Sequence, residues 1–516
     1  MRKLLSLIFI LLLCLKYTSA DISITPYGAA ETVSGSCFLL DTGYEKFIVD
    51  CGLFMSDSQE SMNFCIPKNI LTAKALFLTH AHLDHSGKIP LLIHEGFNGR
   101  IYSTKATKKL TLALFKERNC FDLIKRKWFW SKSQYKKAKE RNGVVTAHWT
   151  DDCRESIKSA EYSKNEIFLK DLCKARNVKF LLCKNCCEKE AEKIADKFIT
   201  VNYNEEINIS DKIKVVFINA GHIPGSASII FSIAGKKICF SGDLGSGHSK
   251  FNGNFEVPGA ADLIFMEATY GSKIRKSADN DYNVFRKDLK NALASGMTVW
   301  IPAFALNRTQ EVLYELKLMQ DSGYISAHVP IYSVSPSANA ITALYQKELS
   351  KKQDNLQDYT SGDWFLDDIY QKESILPRNA RLQMIRTYNT QMILFSSSGD
   401  MSKGKSQQLV PIMLSDKNVF VMIVNYVAPE SIAGLILDGK KPPFAFKKLA
   451  AKVKKYNAFS DHADFIMLQK WLSKQKKDTK IYIIHSNKQN TDQIVKLLQE
   501  KGWSRVCGAK LGQKLN

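Results

Sequence analysis

Short runs of apolar residues, separated by turns that contain glycine, follow one another through the first half of the chain. The runs at 22–26, 36–40 and 46–50 have the length and the β-branched and aromatic content of strands. The same pattern resumes near Ile213 and continues to Met266. These runs predict a β-rich domain.

Between about 272 and 440 the pattern changes to strand followed by helix, repeated several times. Apolar runs start at Thr298, His328, Met392 and Val419, and the first two are followed by stretches with helical spacing. Strands that alternate with helices predict a parallel sheet flanked by helices, which is a second domain of α/β type.

The residues after 440 hold two more candidate residues of the first domain's site, which are named below. The stretch 272–440 is therefore expected to be an insertion. It divides one domain into a first part, 21–271, and a C-terminal part, 441–516.

The first twenty residues are predicted to be a secretory signal peptide. Arg2 and Lys3 precede the apolar run 4–15, and small residues follow at 18–20. The run is shorter than the ~20 residues that a membrane span needs. An exported protein, periplasmic or secreted, is expected, with no stable membrane association after removal of residues 1–20. The alternatives are an uncleaved membrane anchor and a cytoplasmic protein with a misassigned start.

The overall composition is that of a globular protein. The chain has 516 residues, of which 45% are hydrophobic and 24% charged, and this excludes a disordered or fibrous protein. Lys and Arg number 73 against 51 Asp and Glu, a formal net charge of +22. A chain this basic usually meets an anionic partner, such as nucleic acid or a lipid surface.

Residues 105–141 hold a concentrated part of this charge. They contain thirteen basic residues against three acidic ones, in a helical pattern that includes Trp128 and Trp130. Two interpretations stay open. The segment is a nucleic-acid track with the tryptophans as stacking platforms, or it is a solvated helix face with its aromatic residues packed inward.

Four of the twelve cysteines lie near one another in the sequence: Cys173, Cys183, Cys186 and Cys187. Twelve cysteines are too few for a disulfide scaffold of this length. The group is compatible with a structural zinc site, with disulfides formed after export, or with free thiols. The sequence does not choose among these.

The strongest chemical pattern directly follows the apolar run 75–79. His80, His82, Asp84 and His85 occupy four of six consecutive positions. Burial of several imidazoles and a carboxylate without partners is costly, so the group predicts bound metal. One ion does not easily use four ligands so close in sequence. Two ions are therefore expected, with the first two residues on one and the last two on the other.

Three later apolar runs each lead to one more ligand-type residue. These residues are His222, Asp243 and His485. Ligands at the ends of separate strands are gathered at one point when the strands pack side by side. The sequence thus predicts one centre built from four separated stretches of chain.

These motifs resemble the metallo-β-lactamase fold, and more specifically its β-CASP nuclease branch. That branch includes the pre-mRNA 3′-end endonuclease and bacterial and archaeal enzymes that cleave RNA. The runs at 265–271, 459–464 and 484–485 resemble the branch's three motifs, and those at 301–311 and 396–399 resemble sequences of its inserted domain. The resemblance covers about residues 22–516. It implies an αββα sandwich with an inserted α/β domain of mainly parallel sheet.

The same resemblance implies roles for individual residues. Two zinc ions are expected, one held by His80, His82 and His222, and the second held by Asp84, His85 and His485, with Asp243 bridging the two. A hydroxide between the ions would attack the phosphodiester. The implied catalytic residues are His462, as proton donor to the leaving oxygen, Glu267, which orients it, and Asp84. The candidates for phosphate binding are Arg308, Ser396, Ser397 and Ser398.

Single-stranded RNA is the implied substrate, because DNA-acting members of the branch usually have valine where this chain has His485. The alternative keeps the fold and changes the substrate to DNA or to a small ester, thioester or lactam. A large insertion argues against a small-molecule pocket. A binding protein with a decayed site is disfavoured, since every proposed ligand is present. The mode of cleavage, endonuclease or exonuclease, stays open, and so does assembly as a homodimer.

Two departures from the branch concern contacts with substrate. His485 is followed by Ser486 and Asn487 where members commonly show Gly-Glu. Gly399 is followed by Asp400 where a Met-led, glycine-rich turn is usual. Neither change removes a proposed metal ligand.

Overall fold

The computed structural model describes residues 22–64, 66–116, 184–247, 249, 252–274, 278–348, 391–440, 442 and 449–516. Several predictions fall on other residues and stay predictions. The signal peptide at 1–20, the basic segment beyond 116 with its two tryptophans, and Cys173 and Cys183 lie outside the described residues. The side chains of the other two clustered cysteines also lie outside them.

The described residues form short strands and helices. The strands are β1 (Ser23–Pro26), β2 (Phe38–Asp41), β3 (Lys46–Val49), β4 (Ala75–Phe77), β5 (Arg100–Thr104), β6 (Phe198–Val201), β7 (Glu206–Ser210), β8 (Ile213–Asn219), β9 (Ala227–Ile233), β10 (Lys236–Phe240), β11 (Leu263–Glu267), β12 (Thr298–Pro302), β13 (Ile331–Ser333), β14 (Ile393–Ser396), β15 (Val419–Ile423), β16 (Lys452–Lys455), β17 (Lys480–Ile484) and β18 (Val506–Gly508). The α-helices are α1 (Leu83–Ser86), α2 (Ile89–His94), α3 (Lys105–Lys116), α4 (Lys184–Ala195), α5 (Ala278–Ala294), α6 (Arg308–Asp321), α7 (Pro336–Glu348), α8 (Gly404–Met413), α9 (Ile432–Leu437), α10 (Phe465–Trp471) and α11 (Lys488–Glu500). Two 3-10 helices span Asp57–Phe64 and Lys68–Ile70.

Two sheets pack face to face. The first sheet has the order β1-β2-β3-β4-β5-β6, and the second has the order β18-β17-β11-β10-β9-β8-β7. Their facing sides share one apolar core, in which the ring centroids of Phe38 and Phe240 lie 5.7 Å apart and those of Phe77 and Phe231 lie 5.0 Å apart. Because side chains alternate along a strand, Leu39 points to the opposite face and packs in a separate core.

Helices cover the outer faces of both sheets. Residues of α2, α3 and α4 pack against the outer face of the first sheet. On the second sheet, Trp471 of α10 and Leu498 of α11 share a core with Ile264 and Ile483. This layering confirms the predicted αββα sandwich.

The third sheet has the order β13-β14-β12-β15-β16, and all its strand pairs are parallel. Every residue of β15 is buried, because apolar clusters lie on both faces of the sheet. The prediction of a mainly parallel inserted sheet is confirmed. This sheet also takes in β16, which follows residue 440, whereas β17 and β18 return to the second sheet. The domain boundaries at 271 and 440 stay predictions.

The sheet topology brings several strand ends to one edge. β9 is antiparallel to both β8 and β10, so β8 and β10 run in the same direction, and β10, β11 and β17 are parallel to one another. Their carboxyl ends therefore meet at the same edge of the second sheet. Glu267, the last residue of β11, pairs with Ile484, the residue before His485.

Among the residues described, no helix has both the length and the apolar character that a membrane crossing requires.

Candidate metal centre

The loop that carries four of the predicted ligands begins just after β4. His82 precedes α1, a single helical turn that contains Asp84 and His85. The backbone of Ser36 donates to the carbonyl oxygen of Asp84 over 2.8 Å. A Cβ atom placed on Gly52 would lie 1.6 Å from that same oxygen. The loop is thus held by a backbone approach that only glycine permits.

The first group of ligand-type residues consists of His80, His82, His222 and Asp243. Their ligand atoms all lie within 4.8 Å of one another. His222 Nε2 is 3.1 Å from His82 Nδ1. Asp243 Oδ2 is 3.5 Å from His80 Nε2 and 3.7 Å from His222 Nε2. Three ring nitrogens and one carboxylate oxygen therefore face a common point.

The second group consists of Asp84, His85 and His485, again with ligand atoms within 4.8 Å of one another. His485 Nε2 is 3.4 Å from Asp84 Oδ2. The other oxygen of Asp243, Oδ1, lies 3.3 Å from His85 Nε2 and 3.6 Å from His485 Nδ1. Asp243 thus turns one oxygen to each group, which is the position of a bridging ligand.

Several polar atoms at the centre lack hydrogen-bond partners in the part of the chain that the structure describes, and these atoms are of the kinds that bind a cation. His80 Nε2, His85 Nε2 and Asp243 Oδ1 are buried and find no hydrogen-bond partner among the described residues. Buried polar atoms nearly always have a partner. Imidazole nitrogens with carboxylate oxygens are a donor set that suits Zn²⁺. The residues present therefore fit a pair of divalent cations.

Burial favours the neutral, metal-binding form of the histidines in the first group. It lowers the pKa of His80 and His82, and it lowers the pKa of His222 to about 3. Neutral imidazole is the form that binds metal. Although burial opposes ionisation, neighbouring histidines hold the pKa of Asp243 well below its usual range, and the hydrogen bond from His485 helps to lower the pKa of Asp84 to about 2.

Asp50 holds His85 in place by contacting the side of the ring that faces away from the centre. It is not among the residues predicted from the sequence. His85 Nδ1 lies 2.7 Å from Asp50 Oδ2, and the backbone N–H of Thr79 donates to Asp50 Oδ1 over 2.8 Å. This contact directs His85 Nε2 toward the centre. Although burial opposes protonation, Asp243 and Asp50 raise the pKa of His85 well above its usual value. The available signal was a carboxylate at the end of the apolar run 46–50.

His462 lies beside the centre and is held by Glu267. Its Nδ1 is 3.1 Å from Glu267 Oε1 and 4.0 Å from Asp243 Oδ2. Glu267 is fully buried, and it accepts hydrogen bonds from the backbone of Leu244 at 2.7 Å and from the hydroxyl of Thr269 at 2.6 Å. Although burial disfavours the imidazolium, Glu267 raises the pKa of His462 to about 9. The ring is thus oriented and favours its proton-carrying form.

Arg308, predicted to bind phosphate, is 5% exposed at the start of α6. Its Nη2 lies 2.8 Å from Asp461 Oδ2, and its Nη1 lies 3.3 Å from Glu311 Oε2. The guanidinium is therefore engaged by two carboxylates inside the protein.

The three predicted serines make hydrogen bonds at the carboxyl end of β14. Ser396 is buried, and its hydroxyl accepts from Trp300 Nε1 at 2.8 Å. The hydroxyl of Ser397 donates to that of Ser335 at 2.7 Å. The hydroxyl of Ser398 donates to Asp400 Oδ1 at 2.5 Å. These partners all belong to the insertion, and a role in binding substrate stays a prediction.

The structure thus brings together the seven predicted ligands, Glu267 and His462, although they come from distant parts of the chain.

Three family models match successive parts of the chain. They are the metallo-beta-lactamase superfamily at 30–132, the Beta-Casp domain at 309–436 and the Zn-dependent metallo-hydrolase RNA specificity domain at 447–506.

Several curated proteins are similar along most of the chain. Ribonuclease TTHA0252 of Thermus thermophilus is 26% identical over 95% of this chain and 99% of its own length. Cleavage and polyadenylation specificity factor 73 of Drosophila melanogaster is 23% identical over 93% of this chain and 62% of its own length. Transcription termination factor FttA of Methanosarcina mazei is 25% identical over 91% of this chain and 68% of its own length. The chain therefore spans nearly all of the first relative and about two thirds of the other two.

Proposed function

The chain belongs to the metallo-β-lactamase superfamily, in its β-CASP branch, and from this we propose that it is a zinc-dependent ribonuclease that hydrolyses phosphodiester bonds in single-stranded RNA. The family makes it a metal-dependent hydrolase. The observation that carries the proposal is the convergence of seven histidine and aspartate side chains in two adjoining groups. This arrangement suits two cations a short distance apart, as in two-metal phosphodiesterases.

His80, His82 and His222 would hold one zinc ion, and the three residues of the second group would hold the other. Asp243 would contact both. Two zinc ions there would supply a nucleophile, by lowering the pKa of water, and would neutralise charge on the phosphoryl oxygens.

The protein's own contribution to bond cleavage is a positioned proton. Glu267 accepts from Nδ1 of His462, so the opposite ring nitrogen, Nε2, is left to face the substrate. The side chain of His462 is 18% exposed, while that of Glu267 is fully buried. His462 would donate its proton to the leaving oxygen, and Glu267 would keep the ring oriented.

Three observations support RNA as the substrate. The RNA specificity domain model matches residues 447–506. Thermus and Drosophila relatives bear the names of a ribonuclease and of a cleavage factor. The chain also carries a formal net charge of +22, which favours a polyanion.

The test is incubation of the purified protein with RNA labelled at the 5′ or the 3′ end, alongside single-stranded DNA and a lactam. Cleavage of RNA that a chelator abolishes and zinc restores supports the proposal. The lengths of the two labelled products then report endonuclease or exonuclease action. Hydrolysis of DNA or of the lactam, with RNA intact, would contradict it.

Export is proposed as well, on the basis of residues 1–20 alone. The basic start and apolar run would direct secretion, and cleavage would leave a mature chain without stable membrane association. N-terminal sequencing of the protein from fractionated cells is the test. A mature N-terminus near residue 21 in the periplasm or the medium supports export, whereas an intact Met1 in the cytoplasm contradicts it.

A further inference from the structure

Arg308 lies at the first position of α6, within the insertion, and it reaches the catalytic domain. Its Nη2 is 2.8 Å from Oδ2 of Asp461, a residue 153 positions later in the chain. Both side chains are buried, with 6% and 8% of their surfaces exposed. A buried ion pair of this kind holds two distant segments in a fixed relation.

Asp461 in turn contacts a candidate metal ligand. Its backbone carbonyl oxygen lies 3.1 Å from His222 Nδ1. A carbonyl oxygen can only accept, so His222 donates from Nδ1 and keeps the lone pair of Nε2 for the centre. The same Nε2 is the atom that faces His82. Asp461 also directly precedes His462 in the sequence.

Two carboxylates, those of Asp461 and Glu311, contact the guanidinium of Arg308. Burial and the charge of Asp461 raise the pKa of Glu311 well above its usual value, so Glu311 favours its neutral form. Its Oε1 accepts from the hydroxyl of Ser249 at 2.6 Å. The positive charge of Arg308 then balances the negative charge of Asp461. A buried and neutralised guanidinium is poorly placed to meet the phosphate of a substrate.

We propose that Arg308 is a positioning residue that holds Asp461 in place, so that His222 keeps the ring orientation and the tautomer that a metal ion requires. The pair thereby links the docking of the insertion to the assembly of the metal centre. This inference rests on the proposed metal-dependent function, because the orientation of His222 matters as that of a ligand.

The first experiment measures zinc retention in Arg308→Gln by competition with a chelator, in the absence of RNA. Loss of the guanidinium leaves Asp461 buried and unpaired, which displaces it. Loss of such an outer contact typically weakens metal affinity ~10–100-fold. Zinc is therefore expected to leave Arg308→Gln at a ~10–100-fold lower chelator concentration than in the unaltered protein.

The second variant removes the carboxylate as well. Asp461→Asn keeps the backbone carbonyl that His222 uses and removes the side-chain charge. The double variant with Arg308→Gln leaves no unpaired buried charge, so its zinc affinity is expected to lie closer to that of the unaltered protein than Arg308→Gln alone does. If the losses of zinc affinity in the two single variants add up to the loss in the double variant, the two residues act independently. That result would overturn the proposal.

Arg286→Gln is the matched control. Arg286 forms an ion pair with Glu315, which lies on the same helix as Arg308, but the Arg286 side chain is 27% exposed. Among the contacts of the described residues, none joins this pair to a candidate ligand. Zinc retention in Arg286→Gln is expected to equal that in the unaltered protein. Should Arg308→Gln fail to fold, Arg308→Lys keeps the charge and is expected to give an intermediate zinc affinity.

Cleavage kinetics separate positioning from phosphate binding. A positioning role that acts through zinc affinity predicts that Arg308→Gln lowers kcat at limiting zinc, that saturating zinc largely restores kcat, and that KM changes little. Unchanged zinc retention together with a raised KM would show that Arg308 contacts substrate and would overturn the proposal. Because zinc affinity is measured without RNA, failure of the unaltered protein to cleave RNA would instead contradict the proposed function.

Discussion

One carboxylate, Asp243, stands where the two groups of ligand-type residues meet. Its Oδ2 is 3.5 Å from His80 and its Oδ1 is 3.3 Å from His85. The side chain is buried, so the two oxygens are confined to these directions. Each ion of the proposed pair would depend on this single residue.

Asp243→Asn is therefore expected to lose zinc and cleavage together, because an amide is a weak ligand that cannot bridge two cations. Zinc content is measured by elemental analysis, and cleavage with labelled RNA. Asp211→Asn, at an exposed turn, is the control and should retain both. Retention of two zinc ions by the Asp243→Asn variant would refute the bridging role.

His462→Ala separates proton transfer from metal binding. The imidazole is 3.1 Å from Glu267 and does not belong to either group of predicted ligands. Zinc content should stay nearly intact, while cleavage should slow by ~10²–10⁴, the range typical of a lost general acid. Single-turnover rates together with elemental analysis give both values. Full loss of zinc in this variant would show that His462 is a ligand instead.

Asp50→Asn tests the support behind His85. An amide can replace one hydrogen bond but not the negative charge that favours the Nδ1–H tautomer, so zinc affinity should fall ~10–100-fold. Competition with a chelator provides the measurement. An affinity equal to that of the unaltered protein would show that His85 is oriented without Asp50.

The ligands that the sequence identified share a property that Asp461 lacks. Ligands such as His222 stand at the ends of apolar runs or in one dense loop, so the pattern along the chain marks them. Asp461 acts through contacts with residues far away in sequence, and no spacing reveals such contacts. In the same way, the sequence predicts a phosphate contact for Arg308 and does not reveal the two carboxylates that its guanidinium contacts in the structure.

At the scale of elements, the position of the metal loop depends on a close backbone approach. Gly52→Ala would place a Cβ atom 1.6 Å from the carbonyl oxygen of Asp84, which must move. A lower melting temperature and weaker zinc retention are expected, measured by calorimetry and chelator competition. Gly259→Ala is the control, because its added Cβ would meet no atom within 4 Å. Unchanged zinc retention in the Gly52→Ala variant would show that the loop adapts.

The sequence predicted the existence of the strands better than their partners. The run that begins at His328 yields β13 only from Ile331, and the helix expected after it starts at Pro336, since proline suits the first turn of a helix. The position of β11 between β10 and β17 joins segments more than two hundred residues apart. Hydrophobic pattern fixes which residues are buried, but not which strand lies next to which.

At the scale of the whole molecule, the insertion packs directly against the catalytic sandwich. One apolar cluster contains Ala81 and Leu110 of the first part together with Phe285 and Ile301 of the insertion. Ala81 lies between two of the predicted ligands. The layers of each domain followed from strand and helix patterns. The sequence does not predict this shared core, because the core depends on how the surfaces of the two folded domains pack together.

The proposed chemistry as a whole requires that this chain hold two divalent cations in one centre. The decisive experiment is elemental analysis of protein purified without added metal and without chelator. We expect close to two zinc ions per chain, and close to none in Asp243→Asn prepared in the same way. A folded, unaltered protein that holds no transition metal, even after incubation with zinc, would contradict the proposed function at its base.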